Sequence, residues 1–277
     1  MVGNPCSFSG SDPTKGAERM REMIDVHTHI LPGLDDGAET LEESVRMAGI
    51  AAADGIEALV ATPHADETFG QRQTLLDERL AGLREALAAA GLRLEVMAGC
   101  EAFVTPDLGA RAARGGLPGL NGSRYLLVEW PLLLYPTYAD RALFDLRLKG
   151  LVPVLAHVER YRNVQADVNM LVGLIERGVL AQVTAGSLLG QFGSEIQRTA
   201  EIILEHDLAH VLASDAHSAA ERPPVLAHAA ARVAQLVGAE AARALVVDVP
   251  RALVENRPLE VRPPRPYRRR LFWKLWR

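Results

Sequence analysis

The chain has 277 residues, of which 48% are hydrophobic and 23% are charged, so its composition is that of a folded globular protein rather than a disordered or fibrous one. The net charge of −5 argues against binding through bulk positive charge, and we predict no nucleic-acid partner. Two cysteines, Cys6 and Cys100, are too few for a disulfide framework and indicate a reducing, cytoplasmic compartment. No apolar run approaches the roughly 18 residues that cross a bilayer.

The pattern of apolar residues divides the chain into alternating short and long elements. Residues 1–22 are rich in Gly, Ser and Pro, and we predict a disordered extension there. The predicted strands are 24–26, 58–61, 94–98, 125–128, 151–156, 179–183 and 210–213. The predicted helices are 41–54, 71–90, 138–149, 168–177, 194–206 and 224–237. Seven strands separated by helices predict an α/β fold with a mainly parallel sheet, and a length of about 240 residues suits one closed barrel.

The C-terminal stretch breaks this pattern. Residues 261–277 contain three prolines, seven basic residues and no acidic ones, and they end in a segment with Phe272, Trp273 and Trp276. The net charge therefore divides into +7 here, zero on residues 1–22 and −12 on residues 23–260. We predict a basic-aromatic tail with peripheral contact to an anionic membrane surface as one role. Binding of a partner, packing back onto the barrel and simple solvation stay open.

Side chains that bind metals follow the predicted strands at their C-terminal ends. They are His27, His29, His64, Glu101, His157, Asp215 and His217, with Asp36 in the loop 33–37. Because the C-terminal ends of parallel barrel strands meet at one mouth, we expect these side chains to line one pocket. Imidazole and carboxylate donors without thiolate suit Zn, Mn or Fe. Asp35 is the alternative to Asp36, although a turn residue that binds its own backbone is the simpler role for Asp35.

These residues stand in segments that resemble the polymerase and histidinol phosphatase (PHP) superfamily, and within it the bacterial manganese-dependent tyrosine-protein phosphatases of capsule and exopolysaccharide export. The matching segments are 23–37, 61–64, 99–101, 126–131, 156–161, 185–190 and 213–218, and the resemblance covers roughly residues 23–255. It implies a single distorted (β/α)7 TIM-like barrel over residues 23–260 with metals at its C-terminal mouth. The extension and the tail lie outside it.

The resemblance also implies a ligand set for two or three divalent ions, with Mn²⁺ preferred and Fe, Zn or Co as alternatives. The first ion would be held by His27, His29, Glu101 and Asp215. The second would be held by Glu101 and His157, and the third by Asp36, His64 and His217. Arg160 and Arg222 match the arginines that contact phosphate, and a guanidinium fork suits phosphate oxygens. These two arginines and His217 are the candidate catalytic residues.

The implied function is a protein-tyrosine phosphatase in which a metal-bridging hydroxide attacks phosphorus. The implied partner is a phosphotyrosine protein, the tail of a bacterial tyrosine autokinase that controls polysaccharide export; the oligomeric state stays open. The alternatives are a histidinol-phosphate phosphatase or other PHP phosphoesterase and, outside enzymes, a metal-binding scaffold. Cys100 does not begin the Cys-x5-Arg loop of thiol phosphatases, because position 106 is proline.

Several of these residues have simpler explanations. Arg160 could pair with its neighbour Glu159, and Arg222 could cap a loop. For Glu129 we favour a role behind the ligands or in a buried ion pair. Three further histidines do not follow strand ends, and we predict structural roles for them: His206, His210 and His228.

Overall fold

The computed structural model describes residues 22–268. Its strands are β1 Met23–Thr28, β2 Ile56–Ala61, β3 His64–Ala65, β4 Glu95–Ala98, β5 Glu101–Phe103, β6 Tyr125–Glu129, β7 Val152–Leu155, β8 Leu180–Thr184 and β9 Val211–Ala213. The seven predicted strands are confirmed within a few residues. The two additional strands, β3 and β5, have two and three residues, too few for an apolar period to reveal. The predicted extension 1–22 lies outside the described residues except for Glu22.

The helices connect successive strands. They are α1 Leu41–Asp54, α2 Gln73–Ala89, α3 Leu108–Ala113, α4 Ala139–Leu148, α5 Arg162–Ala166, α6 Met170–Glu176, α7 Ala185–Leu188, α8 Ser194–Glu205, α9 Ala227–Val237, α10 Ala239–Arg243 and α11 Val249–Val254, with a π-helical turn at Ala244–Asp248. The six predicted helices are confirmed, and α1 has the predicted bounds. Thr40 caps its start by accepting a hydrogen bond from the Glu43 N–H, and Gly55 ends it with φ of 100°. The helices that the sequence did not predict have only four to six residues.

All strand pairings among the described residues are parallel. One sheet has the order β1-β2-β4, and the other has the order β3-β5-β6-β7-β8-β9. Strand β3 follows β2 after Thr62 and Pro63, and β5 follows β4 after Gly99 and Cys100, so the strands succeed one another in chain order. The segment after β9 bonds back to β1, because the Asp215 N–H donates to the His27 carbonyl at 2.9 Å. The prediction of an α/β fold with parallel sheets is confirmed.

The strands are buried on both faces, as parallel strands usually are. One apolar cluster fills the space between strands and helices and includes Leu59 and Leu126. A second cluster contains the alternate strand residues, such as Val60 and Leu127, together with Leu253 of α11. The core therefore supports every strand end that carries a candidate ligand.

The segment after α11 runs back along the body of the protein. The Arg265 N–H donates to the His206 carbonyl at 3.0 Å, and the Tyr267 N–H donates to Oδ1 of Asn169 at 2.8 Å. The first part of the predicted tail 261–277, up to residue 268, thus packs against the body of the protein. Phe272, Trp273 and Trp276 lie outside the described residues. Within residues 22–268, no helix has both the length and the apolar character needed to cross a membrane.

Candidate metal centre

Strands β2 and β4 are each interrupted and resume as β3 and β5. The resumed parts carry metal-binding side chains at the mouth. His64 lies in β3 and Glu101 begins β5, and the two residues are paired in register. Pro63 ends β2, since proline offers no N–H to a ladder. Gly99 ends β4 where a Cβ would lie 2.8 Å from Cγ1 of Val60. The breaks therefore place His64 and Glu101 side by side, just beyond the buried parts of their strands.

The four predicted ligands of the first ion lie together and are buried. Nε2 of His27 lies 3.1 Å from Nε2 of His29. Oε2 of Glu101 lies 3.3 and 3.4 Å from these two nitrogens, and Oδ1 of Asp215 lies 3.3 and 3.6 Å from them. Ligand atoms that share one ion at about 2.1 Å are separated by about 3.0 to 3.4 Å. His27, His29 and Glu101 are thus spaced closely enough to enclose one ion, and Asp215 lies beside the two histidines.

A second group of donors surrounds the other side of Glu101. Nε2 of His157 lies 3.0 Å from Oε1 of Glu101 and 3.5 Å from Oε2 of Glu129. Nδ1 of His64 lies 2.9 Å from Oε1 of Glu129 and 3.1 Å from Oε2 of Glu101. Glu129, for which we favoured a role behind the ligands or in a buried ion pair, therefore lies among the donors. The signal for it was its position at the end of the apolar run 125–128.

The third predicted group is more open to solvent. Oδ1 of Asp36 lies 3.4 Å from Nε2 of His64 and 3.5 Å from Nε2 of His217. The Asp36 side chain is 65% exposed, whereas His217 is 12% exposed and its ring lies 4.1 Å from that of His29. His29, Asp36, His64 and His217 can together enclose one ion. This group lies at the surface of the mouth, above the buried first group.

Asp35 and Asp36 have separate surroundings. Oδ2 of Asp35 lies 2.6 Å from Nδ1 of His29 and accepts the His64 N–H at 3.0 Å, while Oδ1 accepts the Gly37 N–H. Burial acts to raise the pKa of Asp35, but the hydrogen bond and charge of His29 outweigh it and lower the pKa to about 2. Asp35 is therefore placed to orient His29, and Asp36 faces the donors.

Gln182 supports two of the candidate ligands from behind. Its Oε1 lies 3.0 Å from Nδ1 of His27 and accepts the His157 N–H at 3.0 Å. A hydrogen bond at Nδ1 leaves the Nε2 lone pair of His27 free for an ion. The sequence analysis missed this residue, because Gln182 is one of two polar side chains in the buried run 180–184 and nothing in the local pattern distinguishes its role.

The carboxylates of the site favour positive charge on two of its buried histidines. Burial lowers the pKa of His29 and of His157, but hydrogen bonds and charges of nearby carboxylates, including Glu101, outweigh it and raise these pKa values to about 9 and about 10. Oε2 of Glu101 is buried and accepts no hydrogen bond, although three imidazole nitrogens surround it. Divalent cations would replace the imidazole protons and satisfy this oxygen. The donor set therefore fits divalent metal ions.

Two arginines complete the wall of the same cavity. Nη1 of Arg160 and Nη2 of Arg222 lie 3.0 and 2.6 Å from Oδ2 of Asp215. The cavity has a volume of about 170 Å³, and both arginines line it. The pairing of Arg160 with Glu159 is not observed, since Glu159 instead accepts the Thr184 N–H at 3.1 Å. Arg222 also donates to the Asp215 carbonyl at 2.8 Å, so its loop role and its place in the cavity coexist.

Phe192 lies against both guanidinium groups. Its ring centroid lies 4.7 Å from Cζ of Arg160 and 5.8 Å from Cζ of Arg222. These distances allow cation–π attraction, which helps hold the two side chains at the cavity wall. The sequence carried no signal for this role, because the contact depends on how the loop after α7 packs.

The backbone is strained at two candidate ligands. His157 has φ of 35° and Asp215 has φ of 55°, which is the left-handed region that non-glycine residues rarely adopt. Each follows its strand after one residue, and both side chains line the cavity at the mouth. Such strain of about 1–3 kcal/mol per residue persists only where the surroundings hold it in place.

A larger cavity of about 780 Å³ lies at the opposite end of the strands, near His210 and Arg265. None of the candidate ligands lines it. His210 is buried there, its Nδ1 accepts the Ala181 N–H at 3.0 Å, and the His206 ring packs against Tyr267. We therefore locate the functional site by its donors rather than by cavity size.

Comparison with known proteins gives matches over this whole region. The family model "Capsular polysaccharide synthesis, CpsB/CapC" matches residues 23–255. Tyrosine-protein phosphatase YwqE of Bacillus subtilis (strain 168) is 34% identical over 249 residues, covering 90% of this chain and 98% of that protein. Tyrosine-protein phosphatase CpsB of Streptococcus pneumoniae is 30% identical over 238 residues, covering 84% and 98%.

A solved structure matches the fold as well. It comes from the crystal structures of YwqE from Bacillus subtilis and CpsB from Streptococcus pneumoniae, described there as unique metal-dependent tyrosine phosphatases. The TM-score is 0.85 at 33% identity, with 89% of this chain and 100% of that chain covered. The matched region of the family model begins at β1 and ends just after α11, so it contains all the candidate ligands.

Proposed function

We propose that this chain is a metal-dependent protein-tyrosine phosphatase, because it belongs to the CpsB/CapC family of capsular polysaccharide synthesis. The observation that carries the proposal is one cavity in which histidine and carboxylate donors converge with Arg160 and Arg222. The relatives named tyrosine-protein phosphatase are matched over nearly their full length. The proposed substrate is a phosphotyrosine protein, the tail of a tyrosine autokinase that controls polysaccharide export.

The architecture proposed for the enzyme is one distorted (β/α)7 barrel. Supporting it, the parallel strands follow in chain order, and hydrogen bonds return from the segment after β9 to β1. The second of these bonds runs from the His29 N–H to the Ala216 carbonyl at 2.8 Å. Such a barrel brings the C-terminal ends of all its strands to one mouth.

We assign the predicted donors to two or three divalent ions, with Mn²⁺ as the proposed metal. His27, His29, Glu101 and Asp215 would hold the first, Glu101 and His157 the second, and Asp36, His64 and His217 the third. We add Glu129 to the second group on its distances to His64 and His157. When bound, the ions supply an activated water and positive charge for the phosphoryl oxygens. The mixture of imidazole and carboxylate without thiolate supports Mn²⁺, and it also suits Fe, Zn or Co.

The arginines bind and orient the phosphate. Each guanidinium fork matches two phosphoryl oxygens, and neither can lose its proton near neutral pH. Both guanidinium groups contact Oδ2 of Asp215, which holds them at the cavity wall. Their stacking on Phe192 keeps them on one side of the cavity, where they stabilise the charge that builds up on the equatorial oxygens in the transition state.

His217 serves ion binding in this proposal rather than proton transfer to the leaving group. Burial and the charge of His29 lower its pKa to about 4, so the ring is neutral at pH 7. Nδ1 lies 3.0 Å from the Asp215 carbonyl, which places the proton on Nδ1 and leaves the Nε2 lone pair facing Asp36. Tyrosine has a pKa of about 10, so its oxygen leaves as a phenolate more readily than an alkyl alcohol would.

The test is hydrolysis of a phosphotyrosyl peptide and of histidinol phosphate across Mn, Fe, Zn and Co, with metal content measured on the same samples. We expect turnover of the peptide, preference for it over histidinol phosphate, and loss of activity in excess chelator. Full activity in chelator would contradict the metal mechanism, and the opposite preference would favour the histidinol-phosphate phosphatase. An inert wild type in every metal would favour the scaffold.

Cys100 provides a control within the same experiment. It is fully buried, its Sγ lies 3.3 Å from the Pro118 carbonyl, and burial raises the pKa of its thiol far above the usual range. A thiol in this state is a poor nucleophile. We expect Cys100→Ser to keep most of the activity, whereas His27→Ala should lose it with the fold retained.

A further inference from the structure

A short loop of leucines borders the catalytic cavity. Leu132, Leu133 and Leu134, which we call the leucine lip, follow β6 and the buried Trp130. Leu132 is half-buried and lines the cavity that Arg160 also lines. The next two side chains are 84% and 64% exposed, so the lip leads from the cavity wall out into solvent.

The lip is held in place rather than loose. The Leu134 N–H donates to the Pro131 carbonyl at 3.2 Å, which closes a turn, and the Arg162 N–H donates to the Leu132 carbonyl at 2.8 Å. On its two flanks, Trp130 packs on Tyr161 with ring centroids 4.8 Å apart, and Tyr135 meets Trp130 edge to face at 5.3 Å. The fold therefore presents two exposed leucines on an anchored turn directly after Leu132, which lines the same cavity as Arg160.

Leu133 and Leu134 leave apolar surface exposed to water on an anchored turn, whereas ordinary packing would bury that surface. Here that surface is continuous with a substrate cavity. An extended peptide advances about 3.3 Å per residue. Because Leu132 lines the cavity and the two exposed leucines follow it directly, a segment whose phosphotyrosine enters the cavity would bring residues next to that phosphotyrosine within reach of the lip.

We propose that the leucine lip selects the substrate segment, by packing against an apolar side chain within two residues of the phosphotyrosine. This inference rests on the proposed phosphatase function. A membrane surface is the competing occupant, and the charges at the mouth disfavour it. Apart from the candidate ligands, the charged residues that line the groove beside the cavity are Glu39, Glu43 and Glu221 with Arg46 and Arg222, and this acidic excess disfavours an anionic bilayer.

The test pairs two enzymes with two peptides. Both peptides contain one phosphotyrosine, flanked by leucine at two positions on each side in the first and by serine in the second. The full chain loaded with Mn²⁺ is compared with Leu133→Ser/Leu134→Ser. Each kcat/KM is divided by that of free phosphotyrosine, which is too short to reach past the cavity.

We expect the wild type to prefer the leucine peptide by about tenfold and the serine variant to lose most of that preference. Leu133→Met/Leu134→Met should keep the preference, because methionine retains the apolar volume. Leu148→Ser is the matched control, since Leu148 is 68% exposed at the far end of α4. It should keep the full preference.

Equal preference in the wild type and the serine variant would overturn the proposal, as would a wild type that does not discriminate. Loss of binding to phosphatidylserine vesicles in the serine variant with unchanged peptide preference would also overturn it, in favour of the membrane. Failure of every metal-loaded sample to hydrolyse either peptide or free phosphotyrosine would refute the phosphatase function instead. In that case, binding of the two peptides, each carrying a fluorescent label, to the wild type and to the serine variant is compared by fluorescence anisotropy.

Discussion

Arg160 and Arg222 both form ion pairs with one oxygen, Oδ2 of Asp215, although the first follows β7 and the second follows β9. The other oxygen of Asp215 faces His27 and His29 at 3.3 and 3.6 Å. One carboxylate therefore joins the arginines to the buried donors. Any change in the arginines is transmitted to a candidate ligand, so activity and metal content have to be measured together.

The first prediction tests whether Arg160 and Arg222 act through their positive charge alone or also through the planar shape of the guanidinium group. Arg160→Lys and Arg222→Lys keep the charge that faces Asp215 but lose the planar fork that holds two phosphoryl oxygens. We expect kcat/KM for a phosphotyrosyl peptide to fall about 10²- to 10³-fold in each variant with metal content unchanged. Arg141→Lys, at a side chain 76% exposed on α4, should have no effect. A parallel loss of metal would show that the arginines act mainly by holding Asp215.

Glu129 is predicted to be a ligand. Its oxygens lie 2.9 Å from Nδ1 of His64 and 3.5 Å from Nε2 of His157. Glu129→Gln removes the negative charge with little change of volume. We expect the number of bound ions per chain, measured by inductively coupled plasma mass spectrometry, to fall by one and kcat to fall at least about tenfold. Glu67→Gln, at an exposed position, is the control, and unchanged metal content would return Glu129 to an ion-pair role.

Gly37 is predicted to be essential for the loop that carries Asp35 and Asp36. A Cβ at this position would overlap the carbonyl oxygen of His29, so alanine forces the loop away. We expect Gly37→Ala to destabilise the protein by several kcal/mol and to lower metal content, as followed by thermal unfolding and metal analysis. Gly82→Ala is the opposite case, because Gly82 lies within α2 with open space around its Cα. It should stabilise the protein by about 0.5–1 kcal/mol.

His210 is predicted to make stability depend on pH. Burial lowers its pKa from 6.5 to about 4, so the unfolded chain binds a proton at this site more readily than the folded protein. The stability that the neutral His210 contributes is fully present above pH 6.5, declines as the pH falls below it, and is lost as the pH falls through 4; the loss amounts to about 3 kcal/mol.

The measurement is the free energy of unfolding in urea between pH 7 and pH 4. His210→Asn keeps an acceptor for the Ala181 N–H and should show a smaller decrease over this range than the wild type. His228→Asn, at an exposed histidine, should follow the wild type. Parallel curves for wild type and His210→Asn would refute the prediction.

Much of the site was predictable because residue types that bind metals stand at the ends of the predicted strands. His27 follows its apolar run directly, and Asp215 and Glu101 follow theirs after one and two residues. The parallel topology brings these strand ends together whatever the details of packing. The breaks before β3 and β5 were not predictable, since strands of two or three residues leave no apolar period. Gln182 and Phe192 were missed because their roles are contacts across 25 or more residues of sequence, which no local pattern encodes.

The residues that follow the strand breaks at Pro63 and Gly99 and the residues of the leucine lip are held in place by different parts of the fold. His64 and Glu101 are fixed by main-chain pairing within the sheet, whereas the leucine lip belongs to an excursion between β6 and α4. A change of sequence or length in that excursion alters which segments fit the cleft and leaves the ion-binding geometry intact. Substrate range can therefore diverge within such phosphatases while the hydrolytic centre stays constant.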